Sequence, residues 1–87
     1  MRRIVFSAHA RQQLILRGAT HDEVRSAIAE GERLPARQGR IAFRKNFAFH
    51  SEWKGRYHET KQVMPIVVEE RDAAVVVTVF VFYFGGS

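Results

Sequence analysis

From Ala73 to Phe84 the chain runs twelve residues without a charge, and Val or Phe fills eight of them. β-Branched and aromatic side chains suit a pleated surface and crowd a helix, and twelve residues fall short of the ~20 that a membrane-spanning helix needs. The run therefore predicts a strand. Apart from Thr78 and the Tyr83 hydroxyl it is apolar on both faces, so at least its first half is expected to be central and covered. At ~3.3 Å per residue it spans roughly 40 Å, about twice a typical strand. The excess is expected to project past a small core, which makes Phe80, Phe82 and Phe84 the expected interface of a homo-oligomer or a docked partner.

Upstream, the signals change from strand to helix. Arg2 to Phe6 alternates weakly and predicts a short first strand. Ser7 can accept from the free N–H groups of a following turn, and Ala8 to Arg17 are good helix formers that Gly18 stops. Thr20-His21-Asp22-Glu23 is a capping box, so a second helix starts there, with Val24, Ala27 and Ile28 as its buried stripe. Gly31 is expected to end it in a left-handed conformation, and Pro35 prevents an early restart.

From Arg40 the period becomes two. Ile41, Phe43, Phe47 and Phe49 share parity, which predicts one strand, or two broken at Lys45-Asn46. Ser51 to Tyr57 reads as a loop or turn. Val63 to Val68 predicts a strand that Pro65 confines to an edge or a bulge, and Glu69-Glu70-Arg71-Asp72 is the polar turn before the last strand. The expected architecture is a single α+β domain, residues 1–87, with two N-terminal helices packed on an antiparallel sheet.

Charge is unevenly placed. Residues 33 to 62 hold eight Lys and Arg against two Glu, which exceeds the whole chain's net +5. Within this stretch Arg40, Arg44, Lys45, Lys54, Arg56 and Lys61 are interleaved with Trp53 and other rings, the mixture of cations and stacking surfaces that a nucleic-acid face uses. The same residues also fit a solvated cationic surface whose aromatics are core, and Phe43, Phe47 and Phe49 share the parity of core residues. That leaves Trp53 and Tyr57 as the exposed rings. An acidic partner protein would be drawn by the same field as RNA. With no cysteine there is no disulfide and no thiolate metal site. The N-terminus lacks the apolar stretch of a signal peptide, so a cytoplasmic location is expected. His50, His58 and Glu59 match no zinc spacing, and neither a metal nor another cofactor is expected.

Phe6-Ser7-Ala8-His9-Ala10-Arg11, then Arg17-Gly18, the capping box and Val24, and at the other end Ile66-Val67-Val68-Glu69 and Val77-Thr78-Val79-Phe80, together resemble the domain of unknown function 4258 family. That family is similar to the RelE and ParE toxins and their relatives among small ribonuclease toxins. The resemblance implies a β-α-α-β-β-β order, a metal-independent RNA-cleaving site and an acidic antitoxin as partner. Two positions depart from the family pattern: Ala19 stands where a branched apolar residue is usual, and Phe80 replaces a usual Tyr.

Metal-independent RNA cleavage needs a base for the 2′-hydroxyl, an acid for the leaving oxygen and cations for the phosphorane. The resemblance assigns His9 as acid or base, with Arg17 and Thr78 as partners. Each has a structural alternative. His9 lies in the first turn of its helix, where the dipole favours a neutral, base-competent imidazole, and it also fits as a capping or packing residue. Arg17 either binds a phosphate or complements a helix C-terminus. Thr78 either faces a site or is a strand former with a locally satisfied hydroxyl. Two readings follow: a RelE/ParE-like protein that cleaves or binds RNA, and a non-catalytic interaction module working through its last strand.

Overall fold

Ser7 and Thr20 set the start of the two helices. In the computed structural model, which describes residues 2–86, the Ser7 side chain accepts from the Ala10 N–H and opens α1 (Ala8–Arg17). Thr20 and Glu23 form the reciprocal capping box that opens α2 (His21–Glu30). A first strand, β1 (Arg3–Phe6), precedes them. Four more follow: β2 (Glu32–Pro35), β3 (Ile41–Trp53), β4 (Arg56–Glu69) and β5 (Ala73–Phe84), with one 3-10 turn (Arg37–Gly39) between β2 and β3. The chain is therefore an α+β fold whose two helices are N-terminal to most of the sheet.

The sheet differs from the expected one in composition and direction. Its order is β1-β5-β4-β3-β2, and it is mixed: β1 runs parallel to β5, with Arg3 opposite Ala73, while all other neighbours are antiparallel. The helices carry the chain from β1 at one edge to β2 at the other, and the three antiparallel steps back through β3 and β4 bring β5 beside β1 in parallel. The additional strand, β2, arises because Gly31 is extended (φ −78°) rather than left-handed. The chain leaves α2 directly into pairing with β3. Glycine is needed there for room, since a Cβ would lie 2.8 Å from the Arg44 carbonyl oxygen.

Residues 51 to 57, read as a loop, are mostly strand. Lys54 and Gly55, with φ of 52° and 81°, make a two-residue turn between β3 and β4, because two consecutive positive φ values match the twist of the flanking strands. β3 does not break at Lys45-Asn46; its irregularity lies between Ala48 and Ser51, where His50 has φ 44°. Pro65 sits inside a central strand. It is tolerated because the β3 pairing is interrupted between Ala42–Ile66 and Lys45–Val63, where its missing N–H falls. Phe80 to Phe84 do not project alone, for Thr60 to Met64 pair with them.

Alternation then gives the sheet two unlike faces. Phe43, Val63, Val67, Val76 and Val79 pack with Ala10 and Leu14 of α1 and Val24 of α2 to form the core. Ala42, Met64, Ile66, Thr78 and Phe80 lie on the other face, which no helix covers, where with Leu34 they line a shallow cleft.

Gly18 joins the helices and is left-handed (φ 78°), and a Cβ there would lie 2.6 Å from Tyr83 Oη and 2.7 Å from the Trp53 ring. Gly39 has a similar φ of 72° and open space around it. Gly18→Ala should therefore cost ~3 kcal/mol, combining the left-handed penalty with overpacking, and lower Tm by more than about 10 °C. Gly39→Ala should cost only ~1 kcal/mol. Equal Tm losses in the two variants would show that the packing around Gly18 contributes nothing.

Candidate functional site

The three residues assigned to cleavage occupy separate places. His9 is the second residue of α1 and is exposed in the helix layer. Arg17 is the last residue of α1, about 12 Å further along the helix axis at 1.5 Å per residue. Its Nη1 donates to the Val79 carbonyl oxygen at 2.8 Å, and its guanidinium carbon lies 5.1 Å from the centre of the Phe80 ring. Thr78 lines the cleft on the helix-free face, together with Met64 and Ile66. Arg17 thus reaches the sheet beside Thr78, whereas His9 stays with the helices. The imidazole and the Thr78 hydroxyl thus belong to opposite sides of the sheet, although Ser7, two residues before His9, bonds to the backbone of Val76 and Val77 next to Thr78.

A second cluster ties the helix corner to the sheet. Lys61, only 6% exposed, pairs with Glu23 at 2.8 Å and donates to the Gly18 carbonyl oxygen at 3.0 Å, with Phe49 below its ammonium. Tyr83 donates its hydroxyl to the Arg17 carbonyl oxygen at 2.7 Å. Its ring stacks on Trp53, with centroids 5.0 Å apart, and meets Phe49 edge-on. Burial, aided by the Glu23 carboxylate, pushes the Tyr83 phenol up to about 12. Lys61 and Tyr83 therefore satisfy carbonyls that the end of α1 leaves without helical partners. Two residues expected on an exposed basic face are committed here instead: Lys61 is buried and paired, and Trp53 packs against Tyr83. Tyr83 and Glu23 were not singled out for this role, although the lone phenol of the last strand and the capping-box acid were both legible signals.

The remaining cations divide into paired and free. Arg44 pairs with Glu32 across the β2–β3 ladder, and Lys45 pairs with Glu30 and donates to Ser26. Arg33 and Arg2 both pair with Glu69, at 2.8 and 2.6 Å. Arg40, Lys54 and Arg56 form no ion pair among the described residues; Lys54 lies in the β3–β4 turn, 5.6 Å above the Trp53 ring, and Arg56 follows it. The basic middle of the chain is consequently spread over both faces and one end of the sheet.

What the helix-free face does collect is aromatic surface and unpaired arginine. Phe80, Phe82 and Phe84 are 37%, 45% and 43% exposed, and strand alternation puts them on the same side. Beside Phe80, Arg37 and Arg40 border the cleft, whose volume is about 480 Å³. Arg37, Arg40 and Arg17 have no acidic partner among the described residues. Among the described residues, no three His, Asp or Glu side chains come together as a metal-ligand set, and no helix is long and apolar enough to cross a membrane. The chain matches no protein-family model, no curated protein and no solved structure.

Glu69 provides a pH test of the opposite end of the sheet. Hydrogen bonds from Arg33 and then Arg2 hold its carboxyl at about 2, below the ordinary 4.5. A depressed carboxylate contributes stability that is complete above the unfolded value and disappears as pH falls through the folded one. The urea midpoints of wild type and Glu69→Gln should therefore differ at neutral pH and converge between about pH 4.5 and 2, less sharply in high salt. A gap that persists unchanged at pH 2 would assign the difference to something other than this carboxylate.

Proposed function

We propose that this chain is a nucleic-acid-binding domain, with RNA as its target, that works through the helix-free face of its sheet. The observation that supports this most directly is the row of Phe80, Phe82 and Phe84, whose Phe80 end meets Arg17 and shares a cleft with Arg37 and Arg40, three arginines that have no acidic partner among the described residues. Rings provide stacking surface and unpaired guanidinium groups provide phosphate contacts. RNA, rather than DNA, follows from the resemblance to RelE/ParE-like toxins, which the N-terminal helices and following sheet are in keeping with. A cytoplasmic setting belongs to the same reading. Cleavage by His9, Arg17 and Thr78 is the less favoured form of this reading, because His9 is exposed in the helix layer while Thr78 lines the cleft on the helix-free face.

Fluorescence anisotropy with labelled RNA should give binding at low salt that weakens as salt rises, since released counterions drive the association. Arg37→Ala combined with Arg40→Ala should weaken binding at least about tenfold and flatten the salt dependence, whereas His9→Ala should leave both unchanged. If wild-type protein cleaves RNA or arrests bacterial growth, and His9→Ala folds normally but does neither, the catalytic form of the reading replaces the binding form.

A second reading, a protein-interaction module, is favoured by one separate observation. β1 pairs with β5 only as far as Val76, so β5 beyond it has β4 on one side and no strand on the other. The Arg17 bond to Val79 shows that this residue's carbonyl is turned to that open side, and alternation turns the backbone of Val81 and Tyr83 the same way. Such an edge can accept an added strand from a second copy or an acidic partner such as an antitoxin. Sedimentation of wild type as a dimer, with Phe82→Glu shifted to monomer, is the expected outcome of that reading, and identical monomeric sedimentation of the two counts against it.

A further inference from the structure

We propose that the helix-free face is a stacking platform selective for single-stranded nucleic acid, with bases on Phe80, Phe82 and Phe84 and phosphates on Arg17, Arg37 and Arg40. This rests on the nucleic-acid reading above and deepens it, since that reading alone would accept a duplex. The Phe80 and Phe82 rings are 15° from parallel with centroids 6.4 Å apart, close to twice the ~3.4 Å between stacked bases. The two rings thus present near-parallel faces at about the spacing of alternate stacked bases, and Phe84 continues the row at the same parity. A duplex hides its base faces between neighbouring pairs and offers rings of this kind nothing to stack on.

The cations are placed for phosphates at one end of the row. Arg17 lies over the outer side of Phe80 and has used one of its five donors on the Val79 carbonyl, so donors remain for an anion. Arg37 and Arg40 stand across the cleft that Phe80 walls, and that cleft is floored by Ala42, Met64 and Ile66. Charge decides the occupant. A second copy laid on this face would set these arginines against their own images on a chain of net charge +5, whereas a polyanion is drawn to them.

The test compares a labelled mixed-sequence RNA strand, alone and annealed to its complement, by anisotropy at low salt. The single strand is expected to bind at least about tenfold more tightly than the duplex, with a log–log salt slope near −2 from three phosphates. Phe82→Ala should weaken single-strand binding about tenfold while Phe82→Trp retains it, because any ring can stack. Placed in a Trp53→Phe background, Phe82→Trp should show indole quenching by the single strand. Equal binding of strand and duplex, with Phe82→Ala without effect, would overturn the stacking platform yet leave the broader nucleic-acid reading standing. Absence of binding to both forms would overturn both. Phe82 is half exposed, so its variants should fold, and the wild-type preference for strand or duplex decides the matter even if one does not.

Discussion

A buried ammonium group ties the corner between the two helices to the sheet. Lys61 points from the middle of β4 into the corner where α1 ends and α2 begins, and meets both the Gly18 carbonyl and the capping-box carboxylate of Glu23. Desolvating a lysine is costly unless its charge is paired and its N–H groups are bonded, and here both conditions are met within 3.0 Å. The neighbouring carbonyl of Arg17 receives the Tyr83 hydroxyl, so two adjacent strands complete the end of one helix. Gly18 must be glycine for the same reason. The chain turns left-handed there, beneath the rings of Trp53 and Tyr83, with no space for a side chain.

The same face of the sheet takes the apolar residues of both helices. With both helices committed to one face, the opposite face of five strands has no helix layer of its own, although β5 and the second half of β4, Val63 to Val68, are apolar on both sides. A two-layer fold normally buries such a surface against another element. Here the uncovered side retains three partly exposed phenylalanines and a shallow cleft, and the residues around them are basic rather than acidic. Arg17 also reaches past the helix layer to β5, filling one carbonyl on the open edge and lying against Phe80. It protects part of the edge from pairing and adds positive charge to the open face, two effects that favour an anionic ligand over a second sheet.

Local structure was legible where a few adjacent residues decide it. Ser7 and the Thr20–Glu23 pair cap their helices because capping is a contact between neighbours three residues apart. The β5 boundaries follow from the charge-free run and the polar turn before it. The glycines were half legible. Gly18 is left-handed as its position after a helix suggests, but Gly31 is extended, and its Cβ is excluded both by the carbonyl of Ala27 in its own helix and by the Arg44 backbone of β3, the second of which no local pattern encodes. Likewise Pro65 points to a weak place in the sheet, yet whether that place is an edge or an interruption inside a central strand depends on the β3 register.

The sequence by itself determined the helices, their caps, the length of the last strand and the aromatic stripe at its end, since each depends on propensity and on periods of 3.6 or 2 along the chain. Only the tertiary structure decided which charges are available. Lys61 meets Glu23, Lys45 meets Glu30 and Arg33 meets Glu69, pairs between segments far apart in the chain, so a basic stretch that looks uniform in sequence divides into structural and unpaired cations. It also decided that Thr78 and His9 face different sides, because the direction of a strand residue is set by register and by the irregularity at Ile66–Val67, not by its identity.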